Sequence, residues 1–193
     1  MKKIVLILTS ILAAALLLGA CALVPAAATP TPEATATPEA ATSAEATDAG
    51  DSADGLSFTL TTLTGDTVDQ TVFTDHKLIM VNYWATWCGP CVGEIPDLQK
   101  LSEDYADKGF ALVGVLTGDD DISGARQFIS DEGLTYPIVF PENFFLEHGS
   151  DIYAIPTTMF FDSEGKQVGQ TIVGAKSYDD WAGLIELLLG QVG

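Results

Sequence analysis

The chain has 193 residues, 27 of them acidic and eight basic, for a formal net charge of −19. Between residues 55 and 193 there are 21 acidic and six basic side chains, so the acidity belongs to the folding part and repels phosphate backbones and anionic headgroups. This argues against nucleic acid as a partner, and the same stretch is long enough to bury one core without disulfide or metal staples.

Met1-Lys2-Lys3 is a short positive region, followed from Ile4 to Ala20 by an almost wholly apolar, uncharged run. That is the layout of an export leader whose positive end stays inside. The run ends in Leu18-Gly19-Ala20-Cys21, which resembles the bacterial lipobox. The resemblance implies a leader over residues 1–21, lipidation of Cys21 and a lipid anchor in the membrane. An uncleaved membrane helix is the alternative, since the run is at the lower edge of spanning length. Either arrangement puts the rest of the chain outside the cytoplasm. Residues 22–54 are Ala, Thr, Pro and acidic residues, without an aromatic side chain, and cannot bury enough apolar area to fold alone. They are expected to be a disordered linker, with about 30 Å of average reach if treated as a flexible coil.

The domain is expected over residues 55–193. Ser57-Phe58-Thr59-Leu60 alternates like a strand, and Thr64-Gly65-Asp66 is a turn. Leu78 to Trp84, Phe110 to Leu116 and Thr158 to Phe161 are continuous apolar runs, the pattern of strands covered on both faces. Asp162-Ser163-Glu164-Gly165-Lys166 leads as a hairpin into a strand near Gln167–Ile172. Apolar residues recur at helical spacing through Val92, Ile95, Leu98, Leu101 and Tyr105. They do so again through Ile122, Ala125, Phe128 and Ile129, and through Trp181, Leu184, Ile185 and Leu188. Strands alternating with helices predict an α/β fold with a partly parallel sheet. Asp119-Asp120-Asp121 lacks the glycine and distant Glu of a calcium loop and reads as a solvated helix approach with an N-cap.

The chemistry is concentrated in Trp84-Ala85-Thr86-Trp87-Cys88-Gly89-Pro90-Cys91, at the end of a buried strand and the start of a helix. Thiol–disulfide exchange needs one accessible sulfur and a second close enough to resolve a mixed disulfide. A helix N-terminus stabilises a thiolate at the first cysteine, and Pro90 suits the first turn. Cys88 is therefore expected to be the exposed nucleophile and Cys91 the buried resolving thiol. Zinc is a poor alternative, because only Cys21, His76 and His148 remain as ligands, without ligand spacing. A structural disulfide is another alternative, but so short a loop restrains the unfolded chain little.

Trp-Cys-Gly-Pro-Cys after an apolar strand resembles the thioredoxin superfamily, and the wider pattern over residues 56–190 resembles its membrane-tethered TlpA/ResA-like branch. The resemblance implies a thioredoxin-like fold, with a central mixed sheet flanked by helices and the branch's extra helix and strand over Gly118–Phe140. It places Asn82 before the cysteines, Glu94 beside the site on the Cys91 face of the helix, Pro96 within that helix, and a cis Ile155–Pro156 bond facing the pair. Glu94 would take a proton from Cys91, and a nearby carboxylate would raise the cysteine pKa values. Ile155 would pair with a substrate strand. Trp87, Gly89 and Pro90 would touch substrate.

The function this implies is an extracytoplasmic thiol–disulfide oxidoreductase, with no cofactor beyond the Cys88–Cys91 disulfide and no metal. Its expected partners are exported proteins with disulfides and a membrane thiol carrier, and nothing demands an oligomer. Gly89-Pro90, the thioredoxin dipeptide, leans towards reduction, as in the branch's reduction of apocytochrome c thiols. An oxidant or isomerase, a thiol peroxidase, and a tethered binding scaffold without redox activity are the alternatives.

Overall fold

In a computed structural model, residues 56–192 are described. The expected leader, the Cys21 lipidation site and the 22–54 linker lie outside them. Strand β1 (Thr59–Thr61) pairs antiparallel with β2 (Thr67–Asp69) as a small separate sheet, and helix α1 (Thr71–Thr74) follows. The expected first strand is thus shifted towards its turn, which Gly65 closes with φ +96°.

Five strands make the central sheet, in the order β5-β4-β3-β6-β7. They are β3 (Leu78–Trp84), β4 (Phe110–Leu116), β5 (Ile138–Val139), β6 (Thr157–Asp162) and β7 (Gln167–Val173). β3 runs parallel to β4, and β4 parallel to β5, while β6 is antiparallel to both β3 and β7. β3 is buried along its whole length because it lies mid-sheet and is covered on both faces, which is why its sequence is apolar apart from Asn82.

The connections decide which helix covers which face. Helix α2 (Gly89–Tyr105) links β3 to β4, and α3 (Ile122–Asp131) links β4 to β5. Two crossovers of one hand running the same way along the sheet leave both helices on one side. Their apolar residues share a core with Trp181, Ile185 and Leu188 of α5 (Tyr178–Leu189). The chain then doubles back past β4 and β3 through α4 (Asn143–Gly149), which packs on the opposite face with Phe73 of α1. Neither short helix is anticipated from the helical stripes, and α4 has no side-chain N-cap bond to announce it.

Side chains on β3 alternate strictly. Leu78, Met80 and Trp84 join the core under α2, and Ile79, Val81 and Tyr83 the core under α4. Gly114, opposite Asn82 on β4, fits where nothing larger does: a Cβ there would stand 3.1 Å from the Trp84 indole nitrogen and 3.2 Å from Ile138 and Tyr136. Pro96 removes an N–H from α2, but on its exposed side.

Candidate active site

The C-terminal end of β3 delivers the chain directly into the start of α2. Cys88 is the N-cap of α2, with extended backbone (φ −86°, ψ 99°), and its sulfur accepts the N–H of Cys91 at 3.3 Å. Cys88 and Cys91 are joined by a disulfide. Pro90 lies in the first turn, where its missing N–H removes no helical bond. One helix N-terminal N–H, that of Cys91, therefore already points at the Cys88 sulfur, the arrangement that favours a thiolate once the disulfide opens.

The order of burial is as expected, but its degree is not. Cys91 is fully buried, and Cys88 is only 5% exposed rather than open to solvent. The reason is its surroundings. Cys88 Sγ lies 3.6 Å from the carbonyl oxygen of Ile155, whose bond to Pro156 is cis. On the other side Trp87 is 65% exposed, and its indole N–H donates to the Gly118 carbonyl at 2.7 Å. Gly89 and Pro90 are exposed and Pro156 is buried. The sulfur thus lies against the loop before β6, while its neighbour Trp87 is tied to the loop after β4.

A second pin holds the same loop. The Thr86 N–H and hydroxyl donate to one Asp119 oxygen at 2.8 and 2.6 Å. Burial opposes the Asp119 charge, but these bonds and one from the Asp121 N–H hold its carboxyl below the usual range. Asp121 is the N-cap of α3, accepting the Gly124 N–H at 2.8 Å. The acidic run is therefore only partly a solvated helix approach, since its first member anchors the cysteine loop.

One turn into α2, Glu94 is buried at 3% exposure, deeper than a carboxylate merely beside the site. Its Oε1 accepts from Asn82 Nδ2 at 3.1 Å, and its Oε2 from the Lys176 N–H at 3.1 Å and the Trp181 indole N–H at 3.2 Å. Asn82 also donates to Thr158 Oγ1 at 3.0 Å, its register neighbour on β6. Burial raises the Glu94 pKa; the bonds from Lys176, Trp181 and Asn82 oppose the rise, and the charge of Asp97 adds to it. A buried carboxylate with its pKa raised, one turn from Cys91, is placed to exchange a proton when that thiol reacts. Thr158 and Trp181 escape the sequence reading because they meet Glu94 only through the sheet register and the packing of α5. Trp181 is legible as core, and only its N–H carries the extra role.

Among the described residues no group of three or more His, Cys, Asp or Glu is placed to hold a metal, and Asp119–Asp121 do not converge as one. No helix among them is long and apolar enough to cross a membrane.

Comparison with known proteins agrees with this architecture. The chain is 32% identical over 117 residues to the thiol-disulfide oxidoreductase ResA of Oceanobacillus iheyensis, covering 61% of this chain and 60% of that one. It is 30% identical to the ResA of Geobacillus kaustophilus, covering 60% and 72%. The chain thus spans about three fifths of the first of these relatives. A crystal structure of a thiol:disulfide interchange protein of the thioredoxin family from Chlorobium tepidum superposes with a TM-score of 0.62 at 27% identity, covering 69% of this chain and 94% of that one. The fold is thioredoxin-like, with a mixed central sheet flanked by helices. The profile of the Redoxin family matches residues 48–181, and the chain belongs to that family.

Proposed function

We propose that this protein is a thiol–disulfide oxidoreductase of the ResA type, working outside the cytoplasm on exported proteins. The observation that carries the reading is a cysteine pair at a helix N-terminus whose first sulfur accepts a helix N–H, with a buried carboxylate one turn along. The relatives that carry the name thiol-disulfide oxidoreductase support it.

In the reductive direction the Cys88 thiolate attacks a substrate disulfide. A Cys88–substrate bond forms and one substrate sulfur leaves as a thiol. Cys91, losing its proton towards Glu94, then attacks Cys88 and frees the second substrate thiol. The protein ends as the Cys88–Cys91 disulfide and the substrate has gained two electrons and two protons. A membrane thiol carrier returns the pair to the dithiol. Trp87, Gly89 and Pro90 border the substrate, the Ile155 backbone aligns it as an added strand, and Pro156 sets that loop. Gly89-Pro90 favours the reducing direction. The lipidated Cys21 holds the domain at the outer membrane face, where it acts as a monomer.

Trapping tests the proposal. Cys91→Ser, expressed in cells, accumulates covalent adducts with exported proteins that dithiothreitol dissolves, and Cys88→Ser accumulates none. Equal recovery of partners from both variants would instead favour a binding scaffold.

A further inference from the structure

Ile155, whose carbonyl oxygen meets the Cys88 sulfur, and Trp87, next to Cys88 in the chain, both line an apolar cleft of about 560 Å³. Its wall includes Tyr83, Trp87, Gly118, Leu146, Tyr153 and Ile155. Among the described residues five large apolar side chains are exposed, and three of them, Trp87, Leu146 and Tyr153, line this one cleft. Tyr153 is 87% exposed, so folding of the domain gives no reason for an aromatic ring there. Two of the polar tips on the wall are already committed. The Tyr83 hydroxyl donates to the Phe145 carbonyl at 2.8 Å, and the Trp87 N–H to Gly118. What remains for a visitor is mainly ring and aliphatic surface, with the Tyr153 and Thr117 hydroxyls beside it.

The chain beside these lining residues carries charge mainly of one sign. Asp119, Asp120, Glu142, Glu147 and Asp151 flank the lining residues Gly118, Pro141, Leu146 and Ile152 in the chain. Between residues 109 and 165 the only Lys or Arg is Arg126, whose guanidinium donates to the Leu63 carbonyl. His148 stacks on Phe144, with its Nδ1 3.0 Å from the Phe144 carbonyl. An apolar floor with an acidic margin complements a segment that is apolar at its centre and basic at its edges.

We infer that this cleft selects, among disulfides of exported proteins, those whose cysteine is flanked by a bulky apolar side chain and by Lys or Arg. The inference rests on the exchange reaction proposed above. While the substrate sulfur is bonded to Cys88, residues next to it in its own chain lie over Trp87 and Ile155, and the neighbouring apolar side chain enters the cleft. The electrons move as in the general reaction: the dithiol is oxidised to the Cys88–Cys91 disulfide and the peptide disulfide is reduced to two thiols.

The test uses the full chain, pre-reduced, and two disulfide-linked peptide dimers. In one the cysteine is flanked by Phe and Arg, in the other by Ser and Glu. Each rate is divided by the same peptide's rate with dithiothreitol, which removes differences in intrinsic reactivity. The Phe/Arg peptide is expected to react at least tenfold faster at low salt, with the ratio shrinking in 0.5 M salt as the charges are screened. In the double variant L146S/Y153S the ratio falls several-fold; both side chains are exposed, so the fold does not depend on them. Reduction of both peptides within twofold of one another, or a preference unchanged in the double variant, would overturn the inference and leave the exchange reaction standing. Failure to reduce either peptide or a small aromatic disulfide would overturn both.

Discussion

The two faces of β3 are packed by different chemistry. On one, Ile79, Val81 and Tyr83 meet a cluster of aromatic rings. Phe73 lies with its centroid 4.8 Å from Phe144, 6.0 Å from Phe58 and 6.2 Å from Phe161. On the other, Leu78, Met80 and Trp84 share their side with Asn82, which begins a buried polar chain through Glu94 to Trp181. Among the described residues the first face has no such network; apart from the Tyr83 hydroxyl donated to the Phe145 carbonyl, its side chains meet by apolar packing. The second contains the cysteine pair and keeps a carboxylate in a place where burial works against its charge. The contrast teaches that stability alone does not call for the polar face, and under the proposed reaction that face supplies the carboxylate beside the pair.

The comparison makes predictions that separate stability from redox chemistry. The largest effect is on turnover: Cys91→Ser loses all cycling because no internal disulfide can form, while its circular dichroism stays that of a folded domain. A variant that still cycles would break the assignment of the pair. On the aromatic face, Phe73→Ala removes a fully buried ring and is expected to cost about 3–5 kcal/mol in urea unfolding. The reduction potential of the cysteines should not follow, and a large shift in it would show that the faces are not separable.

Glu94→Gln sharpens the polar side through pH. Because the folded pKa of Glu94 is raised above its unfolded value, its contribution to stability is full below the ordinary glutamate pKa. That contribution fades as pH rises through the folded value. Urea unfolding of the disulfide form should therefore show wild type losing ground against Glu94→Gln as pH rises from just above the ordinary carboxylate range. A flat difference would mean Glu94 titrates normally. Smallest is Tyr83→Phe, which deletes the bond to the Phe145 carbonyl. It should cost about 1 kcal/mol in thermal or urea unfolding, through β3 and α4 alone.

How far the sequence foretells this molecule depends on how local each feature is. β3 and β4 are legible to the residue, because a strand covered on both faces is apolar nearly throughout, Asn82 being the exception with partners of its own. α2 is legible from its stripe and from the Cys-Gly-Pro-Cys start. β2 and β5, of three and two residues, are too short for any period to register, and α4 starts at Asn143 with φ 49°. Glu94 can be singled out by its place after Cys91, but its partners Lys176 and Trp181 lie 82 and 87 residues away and are brought in by the turn after β7 and by α5. Asp119 reads as surface because its own neighbours are charged, and only the fold shows it bonded to Thr86. The cleft wall is the least legible part, for the exposure of Leu146 and Tyr153 is set by how α4 and the loop before β6 pack.

The central claim is that Cys88 and Cys91 form a working, reversible redox couple, and it is tested most directly by equilibrating the protein in graded dithiothreitol buffers. The indoles of Trp84 and Trp87 report the state of the pair by fluorescence. The account predicts a single reversible two-electron transition near or below about −250 mV, with thioredoxin and not with the strong oxidants near −120 mV. A pair that stays oxidised across the range would contradict the claim, and a midpoint near the oxidant end would leave the couple standing and reverse the proposed direction.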